Sequence, residues 1–162
     1  MIAVIAYGNP LRGDDGVAWR IAQELERSAE EAVVLTLHQL TPEVAVVVSQ
    51  ATGVIFVDAS QGTIPGRVST RDLEPAAAEG SLTHHVRPET ILALAQRLYG
   101  NCPRAALVTV SGASFAVSEG LSPAVQHAVP EAVRAVQQTI RTWSLATLPE
   151  GTALSPARIP HA

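Results

Sequence analysis

The chain has 162 residues and a formal net charge of −4; 47% of the residues are hydrophobic and 16% are charged. This length fits a single domain with a normal core, and the negative charge gives no basic surface for a phosphate backbone, so we expect no nucleic-acid partner. The single cysteine, Cys102, excludes an internal disulfide and a cysteine metal cluster and is interpreted as incidental. We expect a cytoplasmic protein with no membrane span, because the apolar start lacks a basic leader and no apolar run approaches roughly 18 residues.

The apolar pattern alternates between strand-like and helix-like segments. In chain order it predicts a strand at Ile2–Tyr7, a helix at 17–29, a strand at Ala32–Leu37, a helix at 41–51, a strand at 54–57, an edge strand at 66–70, a helix at Pro88–Tyr99, a strand at 106–110 and a helix at Pro123–Ala146. Thr41 suits the cap of the second helix, and Pro130 predicts a break or a new first turn in the last one.

This alternation predicts an α/β fold with three layers, in which a twisted, mainly parallel sheet of about five strands is covered by helices on both faces. We expect one domain over residues 1–148. Residues 149–162 are rich in Pro, Gly and Ala, which predicts a flexible tail.

Two adjacent carboxylates, Asp14 and Asp15, stand in the loop GNPLRGDDG between the first strand and the first helix. Like charges side by side are unfavourable unless a cation or a shifted pKa compensates. Asp58 ends the third strand, so the two loops share one edge of a parallel sheet, where ligands bind. Two structural interpretations stay open: Asp14 as a helix N-cap, and Asp58 as the cap of a turn.

A third candidate ligand comes from the loop SLTHHVRPE, which contains His84 and His85. A neutral imidazole beside two carboxylates suits a borderline metal such as zinc or nickel, although an adjacent histidine pair is also typical of solvated surface. The glycine loop lacks the residues of a P-loop, and Ser111 and Ser114 lie outside a G-x-S-x-G elbow, so phosphate binding and serine catalysis are disfavoured.

Four segments together resemble the hydrogenase maturation endopeptidases, which trim the C-terminal extension from the large subunit of nickel-iron hydrogenases. They are GNPLRGDDGVAWRIAQEL, FVDAS around Asp58, the THH-x-x-P loop, and the segment that runs from LVTVSG to GLSPAVQHAVPEAV. They occur in the family's order between Met1 and about Ala146, and the G-N-x-L-x-x-D-D-G block carries most of the specificity.

The resemblance implies a twisted, mostly parallel sheet between helices and an aspartic or metal-dependent endopeptidase. The family's metal-contacting residues correspond here to Asp15, Asp58 and His84, with His85 as the alternative for the third. Asp15 and Asp58 are also the implied catalytic residues, with Asn9, Asp14 and Gly16 in support.

The implied partner is a nickel-iron hydrogenase large-subunit precursor, whose inserted nickel serves as the recognition element, and no organic cofactor is implied. Where many members carry a D-G-G-T-type turn, this chain reads LHQLTPE, and a helix glycine of the family is Ala18 here. We expect a monomer. Two other functions stay open: a nickel-dependent chaperone that binds the precursor without cleavage, and a stand-alone metallohydrolase that acts on a small amide or peptide.

Overall fold

A computed structural model of the chain describes residues 1–28, 31–77 and 86–146. Strands and helices alternate along this part of the chain. The strands are β1 (Ile2–Tyr7), β2 (Ala32–Leu37), β3 (Gly53–Ser60), β4 (Val68–Leu73) and β5 (Arg104–Ser111), and the helices are α1 (Val17–Arg27), α2 (Val44–Gln50), α3 (Pro88–Tyr99) and α4 (Pro123–Ala146). A 3-10 turn at Gly13–Gly16 precedes α1.

The five strands form one sheet in the order β2-β1-β3-β5-β4. β1, β2, β3 and β5 are parallel, whereas β4 pairs antiparallel with β5 at one side of the sheet. All four parallel strands end at the same edge, which we call the carboxyl edge. Because β1 and β3 are hydrogen-bonded neighbours, the segments that follow them begin side by side at this edge.

Helices cover both faces of the sheet, and each face has its own apolar core. Val4 and Ala6 of β1 pack in the core beneath α1 and α4, whereas Ala3 and Ile5 pack in the core beneath α2 and α3. A strand with two buried faces needs apolar residues at every position, which is why β1 is a continuous apolar run. The predicted three-layer α/β fold is confirmed.

The start of α2 differs from the prediction. The helix begins at Val44 rather than at residue 41, and Thr41 does not cap it. Instead, the Thr41 carbonyl accepts a hydrogen bond of 3.1 Å from the Val44 amide and forms the turn before the helix. The β-branched run that follows remains helical because Val44 and Val48 are buried against the sheet, so tertiary packing outweighs local preference.

The predicted break at Pro130 is wrong, because α4 continues through this residue. A proline inside a helix leaves the carbonyl four residues earlier without its N–H partner. That carbonyl belongs to Gln126, and both residues are exposed on the outer face of α4. Water can therefore replace the missing hydrogen bond.

Besides α2, three strands and one more helix have different bounds from those predicted. β3 and β5 pair in register over their whole lengths, from Gly53 with Arg104 to Ser60 with Ser111. The polar ends of both strands thus belong to the sheet, although only their apolar centres were predicted. β4 starts at Val68 because Gly66 forms a turn with φ of +80°, and α1 ends at Arg27.

None of the helices in the described part of the chain is both long enough and apolar enough to cross a membrane. The proposed tail at 149–162 lies outside the described residues. The single domain at 1–148 therefore stays a prediction.

Candidate active site

Asp58 lies inside β3 at the carboxyl edge, opposite Thr109 of β5. Its side chain emerges on the same face as Phe56, two residues earlier, and this face is covered by α2 and α3. Burial, aided by the charge of Asp15, raises the pKa of Asp58 from 3.8 to about 7, although hydrogen bonds from Tyr7 and from the Ala59 amide oppose the shift. Asp58 is thus a carboxyl group that exchanges its proton near neutral pH.

The sequence prediction missed Tyr7, the last residue of β1. Its hydroxyl donates a hydrogen bond to the Asp58 carboxylate of the adjacent strand. Burial, together with the charges of Asp58 and Glu89, raises the pKa of Tyr7 above its usual value, so the phenol stays protonated. One signal was available, since Tyr7 is the only polar side chain in an otherwise aliphatic strand.

Asp15 belongs to the 3-10 turn after β1, and its carboxylate is fixed by the preceding loop. The Asn9 amide donates a hydrogen bond of 2.6 Å to Asp15 Oδ2. This close approach requires glycine at position 8, because a Cβ there would collide with the Asp15 carbonyl and the backbone has φ of +148°. Gly16 plays a similar part, since a Cβ there would lie 2.9 Å from Pro10 Cα.

Asp14 points away from Asp15 into the protein, where only 1% of its surface is exposed. Its Oδ2 accepts hydrogen bonds from the Ala113 amide (2.7 Å), the Ser114 amide (3.1 Å) and the Ser122 hydroxyl (2.8 Å). Its Oδ1 accepts one of 2.7 Å from the Ser122 amide. Although burial opposes it, these bonds lower the pKa of Asp14. Gly16 rather than Asp14 is the N-cap of α1.

A second contact joins the same two loops. Arg12 and Ser118 form a short parallel bridge, in which the Ser118 amide donates to the Leu11 carbonyl at 3.0 Å and the Gly13 amide donates to the Ser118 carbonyl at 2.9 Å. The loop after β5 is therefore fastened to the loop that carries Asp15. The two loops form one rigid part of the carboxyl edge.

Trp19 of α1 also braces this edge. Its indole N–H is shared between the carbonyls of Gly8 (2.9 Å) and Leu37 (3.1 Å), the points at which the chain leaves β1 and β2. The indole ring also packs against His38, with 5.0 Å between ring centroids. Ala18, the replacement for the family's glycine, is fully buried.

Glu89, in the first turn of α3, is a buried carboxylate whose charge reaches Tyr7. It is 8% exposed, and its Oε1 pairs with Arg71 of β4 at 2.8 Å and with Arg87 at 3.4 Å. Burial opposes ionisation, but the hydrogen bond from Arg71 and the charge of Arg87 hold the pKa of Glu89 below its usual value. No residue in the described part of the chain donates a hydrogen bond to its buried Oε2.

The structure thus brings Asp15 and Asp58 together at the carboxyl edge, close enough for the charge of one to shift the pKa of the other. His84 and His85 lie outside the described residues. Within the described ranges, no three His, Cys, Asp or Glu side chains form a metal site. Ser111 Oγ contacts Ser60 Oγ at 3.3 Å, and the Ser114 hydroxyl accepts from the Ala116 amide at 3.4 Å.

Several solved structures share this architecture. The hydrogenase maturating endopeptidase HybD from E. coli superposes with a TM-score of 0.70 at 23% identity, over 88% of this chain and 93% of its own. The [NiFe] hydrogenase maturation protease HybD from Thermococcus kodakarensis gives 0.67 at 18% identity, over 86% and 98%. The fold is that of the hydrogenase maturation proteases.

A hydrogenase 2 maturation peptidase from a Thaumarchaeota archaeon shares 25% identity with a TM-score of 0.63, over 86% of this chain and 97% of its own. No protein-family model matches the chain, and no curated protein matches it by sequence. The resemblance stated from the sequence motifs is confirmed at the level of the fold. The order of elements that presents Asp15 and Asp58 at one edge belongs to this fold.

Proposed function

We propose that the chain is an endopeptidase that removes the C-terminal extension of a nickel-iron hydrogenase large-subunit precursor after nickel insertion. The observation that carries this proposal is the convergence of Asp15 and Asp58 at the carboxyl edge of a sheet with the maturation-protease fold. Nickel enters as part of the substrate. Asp15, Asp58 and His84, or His85 in its place, complete its coordination.

The two carboxylates are suited to different parts of the task. One oxygen of Asp15 is already bonded to the Asn9 amide, so this side chain presents a fixed carboxylate to the incoming metal. Two routes of hydrolysis fit this site: the nickel activates the attacking water while Asp58 binds it, or Asp58, with a pKa of about 7 when no metal is bound, takes the proton of the water as a general base. The precursor's nickel supplies a Lewis acid beside the scissile carbonyl.

Nickel acts as a checkpoint under this proposal. Two carboxylates and one imidazole leave coordination positions open for groups of the precursor. A precursor without nickel offers no ion for these side chains and is not cut. The free protein holds metal weakly, and tight stoichiometric metal in the purified protein would contradict this.

The test is a trimming assay on the cognate precursor, nickel-loaded and nickel-free, read by intact mass. We expect the loss of one C-terminal peptide from the loaded precursor alone, and no loss with Asp15→Asn. Asp72→Asn, an exposed carboxyl on β4, is the matched control and should trim normally. A stable complex without any mass change would contradict the peptidase and leave a binding role.

A further inference from the structure

Tyr7, Glu89 and Arg71 are polar residues on the Asp58 side of the sheet that the proposed chemistry does not use; Glu89 is buried, Tyr7 is partly buried and Arg71 is exposed. They come from β1, α3 and β4, so three elements of the fold contribute one side chain each. We propose that Tyr7 is a positioning residue, whose hydroxyl fixes the orientation of the Asp58 carboxylate for its contact with the substrate. This inference rests on the proposed function, because Asp58 is taken to touch the substrate's nickel.

Two donors hold the Asp58 carboxylate. One is the Tyr7 hydroxyl and the other is the Ala59 amide. A carboxylate on a single Cα–Cβ–Cγ linkage can rotate, and donors from two directions restrict this rotation. Groups behind a metal-contacting side chain orient it in this way, and their loss typically costs 10-fold to 100-fold in affinity or activity.

The position of Tyr7 is itself fixed. β1 is paired on both sides, with β2 through Tyr7 and Leu37 and with β3 through Ala6 and Val57. The Tyr7 ring packs on the core beneath α2 and α3. Because the backbone and the ring are both constrained, the hydroxyl is delivered to one place beside Asp58.

Glu89 and Arg71 lie close enough to Tyr7 for their charges to act on its hydroxyl group. Arg71 binds Oε1 of Glu89, while no described residue bonds to Oε2, which is buried. A buried oxygen without a hydrogen bond costs stability.

The test compares Tyr7→Phe with Tyr99→Phe, its matched control at the exposed end of α3. Tyr7→Phe keeps the ring and removes the hydrogen bond alone. We expect kcat/KM for trimming to fall about tenfold, because Asp58 contacts the nickel through which the precursor binds. The melting temperature should fall by no more than about 4 °C, the effect of one hydrogen bond. Tyr99→Phe should resemble the wild type in every measurement.

A second measurement needs no precursor. Calorimetric titration with Ni²⁺ alone should show affinity about tenfold weaker in Tyr7→Phe than in the wild type or Tyr99→Phe. The inference is overturned if Tyr7→Phe has the same kcat/KM and the same Ni²⁺ affinity as the wild type. This holds even if its melting temperature is lower.

The two measurements separate this inference from the proposed function. If the wild type fails to trim but Tyr7→Phe and Asp58→Asn both weaken Ni²⁺ binding, the peptidase proposal fails and the role of Tyr7 stands. If the wild type trims and Tyr7→Phe trims equally well, only the role of Tyr7 fails. If the wild type fails to trim and Tyr7→Phe binds Ni²⁺ as the wild type does, both are overturned.

Discussion

The role proposed for Asp58 requires an ionised carboxylate, but the burial of this side chain disfavours ionisation. Its pKa of about 7 means that nearly half of the molecules carry the proton at neutral pH. A protonated carboxyl can neither contact a cation well nor accept a proton from water. Under the proposed function, the proton therefore competes with the nickel of the substrate.

This competition predicts the pH dependence of trimming. We expect kcat/KM to rise between pH 5.5 and 8 with an inflection at about 7, because the active form has Asp58 ionised. Trimming rates measured by mass at half-unit steps would show it. Asp14 cannot supply this inflection, since its pKa lies below the usual value. A flat profile over this range would contradict the role assigned to Asp58.

The raised pKa of Asp58 also predicts a conflict between function and stability. The folded-state pKa of Asp58, about 7, lies above the unfolded value of 3.8, so the folded protein binds more protons between these values. The contribution of Asp58 to stability therefore falls as the pH rises from about 4 to about 7 and is constant above this range.

Asp58→Asn removes the buried charge and should raise the melting temperature at pH 8 by about 5 °C while trimming is abolished. At pH 5 the increase should be less than half as large, because the unfolded Asp58 is already ionised there while the folded form is still mostly neutral. Calorimetry at both pH values checks this, with Asp72→Asn as the exposed control. An equal increase at both pH values would assign the effect to packing rather than to charge.

At the scale of elements, Asp14 is the contact that fastens the loop after β5 to the loop after β1. We expect Asp14→Asn to destabilise the fold by about 3 kcal/mol, because an amide N–H₂ would face backbone amide donors in a buried place. Ser122→Ala removes one of the four hydrogen bonds and should cost about 1 kcal/mol. Urea denaturation measures both. Equal effects would show that the hydroxyl, rather than the buried charge, holds the loops.

The elements predicted most accurately from the sequence are those in which several local signals indicate the same boundaries. α3 begins at a proline and ends before a glycine with φ of +72°, and both of its ends were predicted correctly. β3 was predicted too short because Asp58 and Ser60 join the sheet through pairing with β5, which no local pattern reports. The antiparallel pairing of β4 was likewise invisible, since it depends on contacts far along the chain.

The site was predictable in part for the same reason. The approach of Asp15 and Asp58 followed from two parallel strands, once β1 and β3 were neighbours. The contacts of Tyr7 with Asp58 and of Arg71 with Glu89 depend on how α3 and β4 pack on the sheet. A sequence pattern without tertiary contacts cannot supply these pairs.

At the scale of the whole molecule, the described residues already form two cores between Ile2 and Trp143. We therefore expect that deletion of residues 149–162 changes the melting temperature by less than about 2 °C. Thermal unfolding of the 1–148 chain beside the full chain checks this. A large loss of stability would move the domain boundary beyond residue 148.

The two joined loops also indicate which of the two binding molecules must change its conformation. The Arg12–Ser118 bridge and the four bonds to Asp14 give loop amides the protection of a core, so deuterium should enter slowly at the Ser114 and Ser122 amides. An edge this stiff loses little conformational entropy when it binds. Under the proposed function, the entropy loss falls instead on the precursor, whose C-terminal extension must adapt to loops that are already ordered.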